Sequence, residues 1–232
     1  MEFIAVNNPS KWDYAITPTL LDAYLRFKRK DDDETFDTLM YKINGIKQEL
    51  PEEVQIIINK GIEFEELVNH SLQGDEIEHT EITKKIVGKL TNNTGKQVYQ
   101  EAFIQTPYGV IKLYGILDFD FPEMIVDLKT VAHYSCNKYA DYSQHPMYSL
   151  IRQLNGKPIK AFKYLITDFK RVYQETYIPS DHMYQVLMQN VFEFIAFINH
   201  FKSGITNTKI FGVDNNYKPA EQCIYDVRPA TK

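Results

Sequence analysis

The chain has little cysteine: Cys136 and Cys223 are the only two in 232 residues. Two thiols so far apart cannot build a disulfide framework. Their scarcity fits a reducing compartment, the cytoplasm, which for a phage-encoded protein is that of the host. No stretch approaches about eighteen consecutive apolar residues, so no membrane span and no membrane partner are expected. The opening MEFIAVNNPSKWDY carries neither a basic leader nor a long apolar core and reads as no signal peptide. Internal repeats and low-complexity tracts are lacking too. Nor is there an excess of positive charge: the formal net charge is −5, which superficially argues against nucleic acid as a partner. Two local basic groups weigh the other way, Lys28-Arg29-Lys30 and the set Lys157, Lys160, Lys163, Lys170 and Arg171. The first is followed by Asp31-Asp32-Asp33-Glu34, a sign reversal that would repel DNA in the same groove.

What is present is concentrated in the segment 115–130, GILDFDFPEMIVDLKT. Residues 110–119 and 124–130 are rich in β-branched and aromatic side chains, and the turn-like Asp120-Phe121-Pro122-Glu123 separates them. They read as neighbouring antiparallel strands. Side chains alternate along a strand, which puts Ile125, Asp127 and Lys129 on one face and Val126, Leu128 and Thr130 on the other. Val126 and Leu128 are expected to pack inward while Asp127 and Lys129 emerge together into a cleft. Asp118, at the end of the preceding strand, converges on the same spot. Two carboxylates and an ammonium so arranged suit a hard cation that prefers oxygen ligands and keeps several waters. Charges flanked this closely by apolar residues are costly unless paired or metal-bound.

The pattern resembles the PD-(D/E)XK nuclease superfamily, in its RecB-like and phage-type exonuclease branch. Four motifs appear in order: Gly61-Ile62-Glu63-Phe64-Glu65, Gly115-Ile116-Leu117-Asp118, Asp127-Leu128-Lys129 and Gln144-His145-Pro146-Met147-Tyr148. The match spans about residues 58–150, and Ile16-Thr17-Pro18-Thr19-Leu20-Leu21 is similar to the opening of such nucleases. Where the first motif often carries histidine this chain has Glu65, with Glu66 beside it. Relatives with an iron–sulfur cluster supply four cysteines; two are too few for that, or for a four-cysteine zinc site.

The resemblance implies metal-dependent hydrolysis of a DNA phosphodiester. Asp118, Asp127 and Glu65 would hold one or two Mg²⁺ or Mn²⁺ ions, with the main-chain carbonyl of Leu128 as a further ligand. Lys129 would orient the attacking water or neutralise the phosphate. Gln144 and Tyr148 would position DNA or support the site, and Glu101 is a further candidate on the neighbouring strand. Metal-bound water has a lowered pKa, and the cation stabilises charge developing on phosphoryl oxygens. His70, His133 and His145 fit no triad or zinc pattern. The implied partners are linear DNA, single- or double-stranded, a single-strand annealing protein or helicase, and further copies of the chain. Three readings stay open: an exonuclease of recombination, repair or phage replication, a structure- or sequence-specific endonuclease on the same core, and a catalytically inactive nucleic-acid-binding module.

Periodicity and capping signals place helices over residues 18–29 with Thr17 as cap, 35–46 after an acidic loop, 51–72, and 76–90. Val54, Ile57, Ile58, Ile62 and Leu67 form the expected apolar face of the third. Strands are expected over 98–105, 110–119, 124–130, 161–168 and 172–178. A helix over 139–154 can tolerate Pro146 only if it begins near Ser143, and another runs over 180–201. The expected fold is α/β, a central mixed sheet flanked by helices with extra helices at both ends. It forms a single domain: an N-terminal helical region (about 1–50), a catalytic core (about 51–203) and a polar tail (204–232).

Overall fold

The computed structural model describes residues 3–7, 9–74 and 80–212. The first residues of the helix expected at 76–90, and most of the expected tail, lie outside them. The chain divides into two compact units. One holds Glu49–Ala102 and Tyr114–Leu187; the other holds residues 3–48, 103–113 and 188–212 among those described. The fold is α/β, with a seven-stranded mixed sheet flanked by helices. Among the described residues no helix is long and apolar enough to cross a membrane.

The strands are β1 (Ile4–Ala5), β2 (Tyr14–Ile16), β3 (Gly95–Thr106), β4 (Gly109–Phe121), β5 (Met124–Thr130), β6 (Ala161–Thr167) and β7 (Val172–Tyr177). Their order is β1-β3-β4-β5-β6-β7, with β2 against β4. The two shortest were not foreseen, because two or three residues carry too little alternation to read.

In the first unit, β5 pairs antiparallel with β4 and parallel with β6, and β6 pairs antiparallel with β7. Helices α3 (Glu52–Gln73) and α4 (Glu81–Leu90) lie on one face. There Phe64, Val68, Ile86 and Leu90 bury against Phe119, Phe121, Val126, Leu128 and Leu165. Helix α5 (Gln144–Leu154) covers the other face, where Tyr148 stacks on Phe162 with ring centroids 6.4 Å apart. It begins after Ser143, so Pro146 falls in its first turn, where a missing amide costs nothing. The apolar face expected of α3 is corrected: Val54, Ile57, Ile58 and Ile62 are exposed, and only Phe64 and Val68 are buried. The periodicity was real, but only the C-terminal half of the helix meets the sheet.

In the second unit, α1 (Pro18–Lys30), α2 (Asp33–Ile43) and the later part of α6 (Asp181–His200) share an aromatic core of Tyr24, Phe27, Phe36, Phe194 and Phe197. Thr17 caps α1 through the Leu20 amide, as expected. The acidic run is not wholly a loop: Asp32 accepts from the Thr35 amide at 2.8 Å and caps α2, while Asp33 and Glu34 occupy its first turn. Of the first basic group, Lys28 is paired with Glu193.

Candidate active site

The β4–β5 ladder holds for only three pairs, Phe119↔Val126, Asp120↔Ile125 and Phe121↔Met124. The next residue on each strand is an aspartate, Asp118 on β4 and Asp127 on β5. The pairing ends there, so the Leu128 amide lacks a ladder carbonyl on that side. The Asp118 carboxylate takes its place, accepting from Leu128 N at 3.0 Å. The sheet thus opens at the two residues singled out by the G-x-x-D and D-x-K spacing.

Asp127 does not emerge into an open cleft as the alternation suggested; its side chain is 1% exposed. A strand that pairs in parallel beneath a crossover helix is covered on both faces. Val126 and Leu128 pack toward α3 and α4, and Asp127 lies beneath α5. The longer Lys129 side chain keeps 29% of its surface exposed, with its ammonium 2.6 Å from Asp127 Oδ2. This pairing is by charge: no aligned hydrogen bond reaches that buried oxygen. The other carboxylate oxygen, Oδ1, accepts from the Gln144 amide at the start of α5.

The electrostatics follow from burial. Loss of water raises the Asp127 carboxyl to about 7, and the adjacent Asp118 charge pushes the same way against Lys129. Asp118 is also raised, mainly by burial, although Lys129 and the Leu128 amide oppose the shift. Burial alone would lower the Lys129 ammonium, but the Asp127 and Asp118 charges outweigh it and leave it raised. The site therefore holds more negative charge than one ammonium comfortably offsets.

Glu65 lies on α3, and its Oε1 accepts from Gln97 Nε2 at 3.0 Å. Burial raises its carboxyl, the Asp118 charge adds to that, and Lys129 opposes it. Glu65 is thus the member of the acidic pair that senses the aspartates and Lys129; Glu66 is exposed. Among the described residues no three carboxylate, imidazole or thiol side chains stand close enough together to enclose a metal ion. The oxygens of Asp118 and Asp127, with the Leu128 carbonyl, are the set that could hold a hard cation completed by water.

The two motif glycines are packing residues. A Cβ on Gly61 would stand 2.7 Å from Thr130 Oγ1, so glycine lets α3 approach the end of β5. A Cβ on Gly115 would meet the Tyr148 ring. Tyr148 is buried and donates to the Ile116 carbonyl at 3.0 Å, and burial holds its hydroxyl protonated. Gln144 and Tyr148 therefore both engage protein groups, a carboxylate and a main-chain carbonyl. The Glu101 carboxylate accepts from the Tyr99 hydroxyl at 2.6 Å. His145 is buried, stacked on Tyr177 with centroids 4.0 Å apart.

Three residues around the site were not anticipated. Gln97 on β3 was one. Buried Arg152 on α5 pairs with Asp120 and donates to the Lys157 and Pro122 carbonyls, fixing the β4–β5 turn. Buried Glu175 on β7 accepts from the Tyr134 and Tyr177 hydroxyls and the Lys138 and Tyr139 amides. It pins the irregular segment between Lys129 and Gln144. Only a buried charge in an otherwise apolar strand or helix could have flagged Arg152 or Glu175.

No family model and no curated protein matches the chain. Solved structures do. The crystal structure of a protein named putative exonuclease, from Eubacterium rectale, superposes with a TM-score of 0.53 at 15% identity, covering 94% of this chain and 91% of that one. The protein named SSO0001 gives 0.46 at 12% identity, over 81% and 78%. At 15% identity the likeness to the first is one of fold.

Proposed function

We propose that this chain is a Mg²⁺- or Mn²⁺-dependent deoxyribonuclease of the PD-(D/E)XK type, RecB-like in its motifs, degrading linear DNA from its ends in recombination, repair or phage replication. The observation that carries the reading is the Asp118–Asp127–Lys129 group at the point where β4 and β5 part. The fold shared with a protein named putative exonuclease is compatible with it.

The residues fit a hard cation. Two raised carboxyls face each other, and Asp127 Oδ2 is buried without an aligned hydrogen bond. In this reading Asp118, Asp127 and the Leu128 carbonyl hold the ion, and Glu65 joins from α3. When bound, the ion supplies a water of lowered pKa and positive charge beside the phosphoryl oxygens. Lys129 remains protonated in this environment and is suited to orienting the nucleophile or offsetting phosphate charge, not to accepting a proton. Gln144, by holding one Asp127 oxygen, leaves the other aimed at the ion. Tyr148 keeps α5 against β4 and acts on the site through Gln144.

The test compares a 5′-labelled linear duplex, its separate strands and a covalently closed circle, each with Mn²⁺ or with EDTA. Metal-dependent loss of the linear forms alone is the expected result and shows the strand preference. Cutting of the circle would make the enzyme an endonuclease, and inertness toward all three would leave a binding module.

A further inference from the structure

Gln97 is an unusual residue for its place. It lies in β3 with φ +50, a left-handed conformation that a non-glycine side chain rarely adopts within a strand. Such backbone persists where the surroundings over-determine it, and it gathers at functional positions. Its side chain is solvent-exposed, so apolar burial does not explain the geometry. What the conformation achieves is a bridge. Gln97 Nε2 donates to Glu65 Oε1 at 3.0 Å, and the same side chain hydrogen-bonds the Asp118 carboxylate.

We propose that Gln97 is a positioning residue that holds Glu65 beside Asp118 for a divalent cation, a role that rests on the metal-dependent reading above. Glu65 is on α3 and Asp118 on β4, and as like charges they repel across the gap between those elements. A primary amide carries two N–H donors, enough for one to each carboxylate. It draws them together without adding charge. Each carboxylate has further lone pairs, so the amide leaves room for a metal–oxygen bond. The bridge accounts for two facts together: Glu65 senses Asp118, yet three carboxylates do not close into a cage without the ion.

The test titrates Mn²⁺ into the full chain by calorimetry, using wild type, Gln97→Gly and Gln97→Met, with the melting temperature of each metal-free protein as a second readout. Gln97→Gly relieves the left-handed backbone while removing the amide; Gln97→Met keeps length and strand character without donors. Loss of such a supporting partner weakens metal affinity on the order of tenfold. The expected result is that weakening in both variants, with the Gln97→Gly protein melting no lower than wild type. A positioning role thereby separates from a structural one, because affinity falls while stability does not. Unchanged or tighter Mn²⁺ binding in both variants would overturn the inference and leave the nuclease reading standing. Absence of Mn²⁺ binding by wild type would instead strike the nuclease reading itself.

Discussion

Gly115 and Tyr148 occupy each other's space: a Cβ on Gly115 would stand 2.4 Å from the Tyr148 hydroxyl oxygen and 2.7 Å from its Cε1. The glycine of the G-x-x-D strand and the tyrosine of the Q-x-x-x-Y helix are thus one contact. Bare backbone at Gly115 lets the ring lie flat enough to reach the Ile116 carbonyl. Gly115→Ala should cost about 1–3 kcal/mol, as overpacking does. In a Tyr148→Ala background the same change should cost close to nothing. Denaturant unfolding of the four proteins measures that coupling; equal costs in both backgrounds would mean the ring does not press on residue 115.

Lys129 sits 2.6 Å from Asp127 Oδ2 and stays charged. Lys129→Met should lower cleavage by about 10²–10³-fold, the scale of losing one electrostatic group at a transition state. Mn²⁺ affinity should hold or rise, since a competing cation has gone from the carboxylates. Single-turnover rates together with calorimetry separate the two effects.

Stability of the metal-free protein should carry two opposing pH trends. Burial lowers His145 to about 4 from the usual 6.5, so the unfolded chain binds a proton there that the fold refuses. That favours unfolding increasingly as pH falls from about 6.5 to 4, by roughly 3 kcal/mol at most. Asp127 does the reverse: with its folded value raised to about 7, stability it contributes at low pH is lost as pH climbs from about 4 to 7. His145→Phe should therefore flatten the acid loss, and Asp127→Asn should flatten the loss toward neutrality. Melting temperatures across pH 4 to 8 for the three proteins would expose any failure of this pairing.

Glu175 gathers four donors, the Tyr134 and Tyr177 hydroxyls and the Lys138 and Tyr139 amides. Glu175→Gln puts an NH₂ group among donors and should cost about 1–3 kcal/mol, the penalty for buried groups left unsatisfied. Amide exchange at Lys138 and Tyr139 should rise in the variant. Unchanged exchange would show that something else holds the segment.

Much of the site was legible because its residues sit at short sequence range on regular elements. Asp118, Asp127 and Lys129 could be placed by strand alternation across one turn, and Gln144 by the proline that fixes where α5 begins. The burial of Asp127 was not legible, since nothing within the hairpin says that a parallel neighbour and a helix will cover its second face. Gln97 escaped notice because its bridging depends on a positive φ that no local glycine or asparagine signals. Glu175 escaped because its donors lie about forty residues away in an irregular segment. The α3 face was misread for a related reason. Periodicity identifies an apolar stripe but not which part of it finds a partner.

The most direct measurement is cleavage of linear DNA with Mn²⁺ by wild type and by Asp127→Asn. The substitution keeps the shape of the side chain while removing the charge that binds the ion. The account predicts metal-dependent cleavage by wild type, a loss of at least about 10³-fold in the variant by analogy with removal of an electrostatic catalytic group, and a folded variant that still binds DNA. Cleavage by Asp127→Asn at a rate near that of wild type would contradict it.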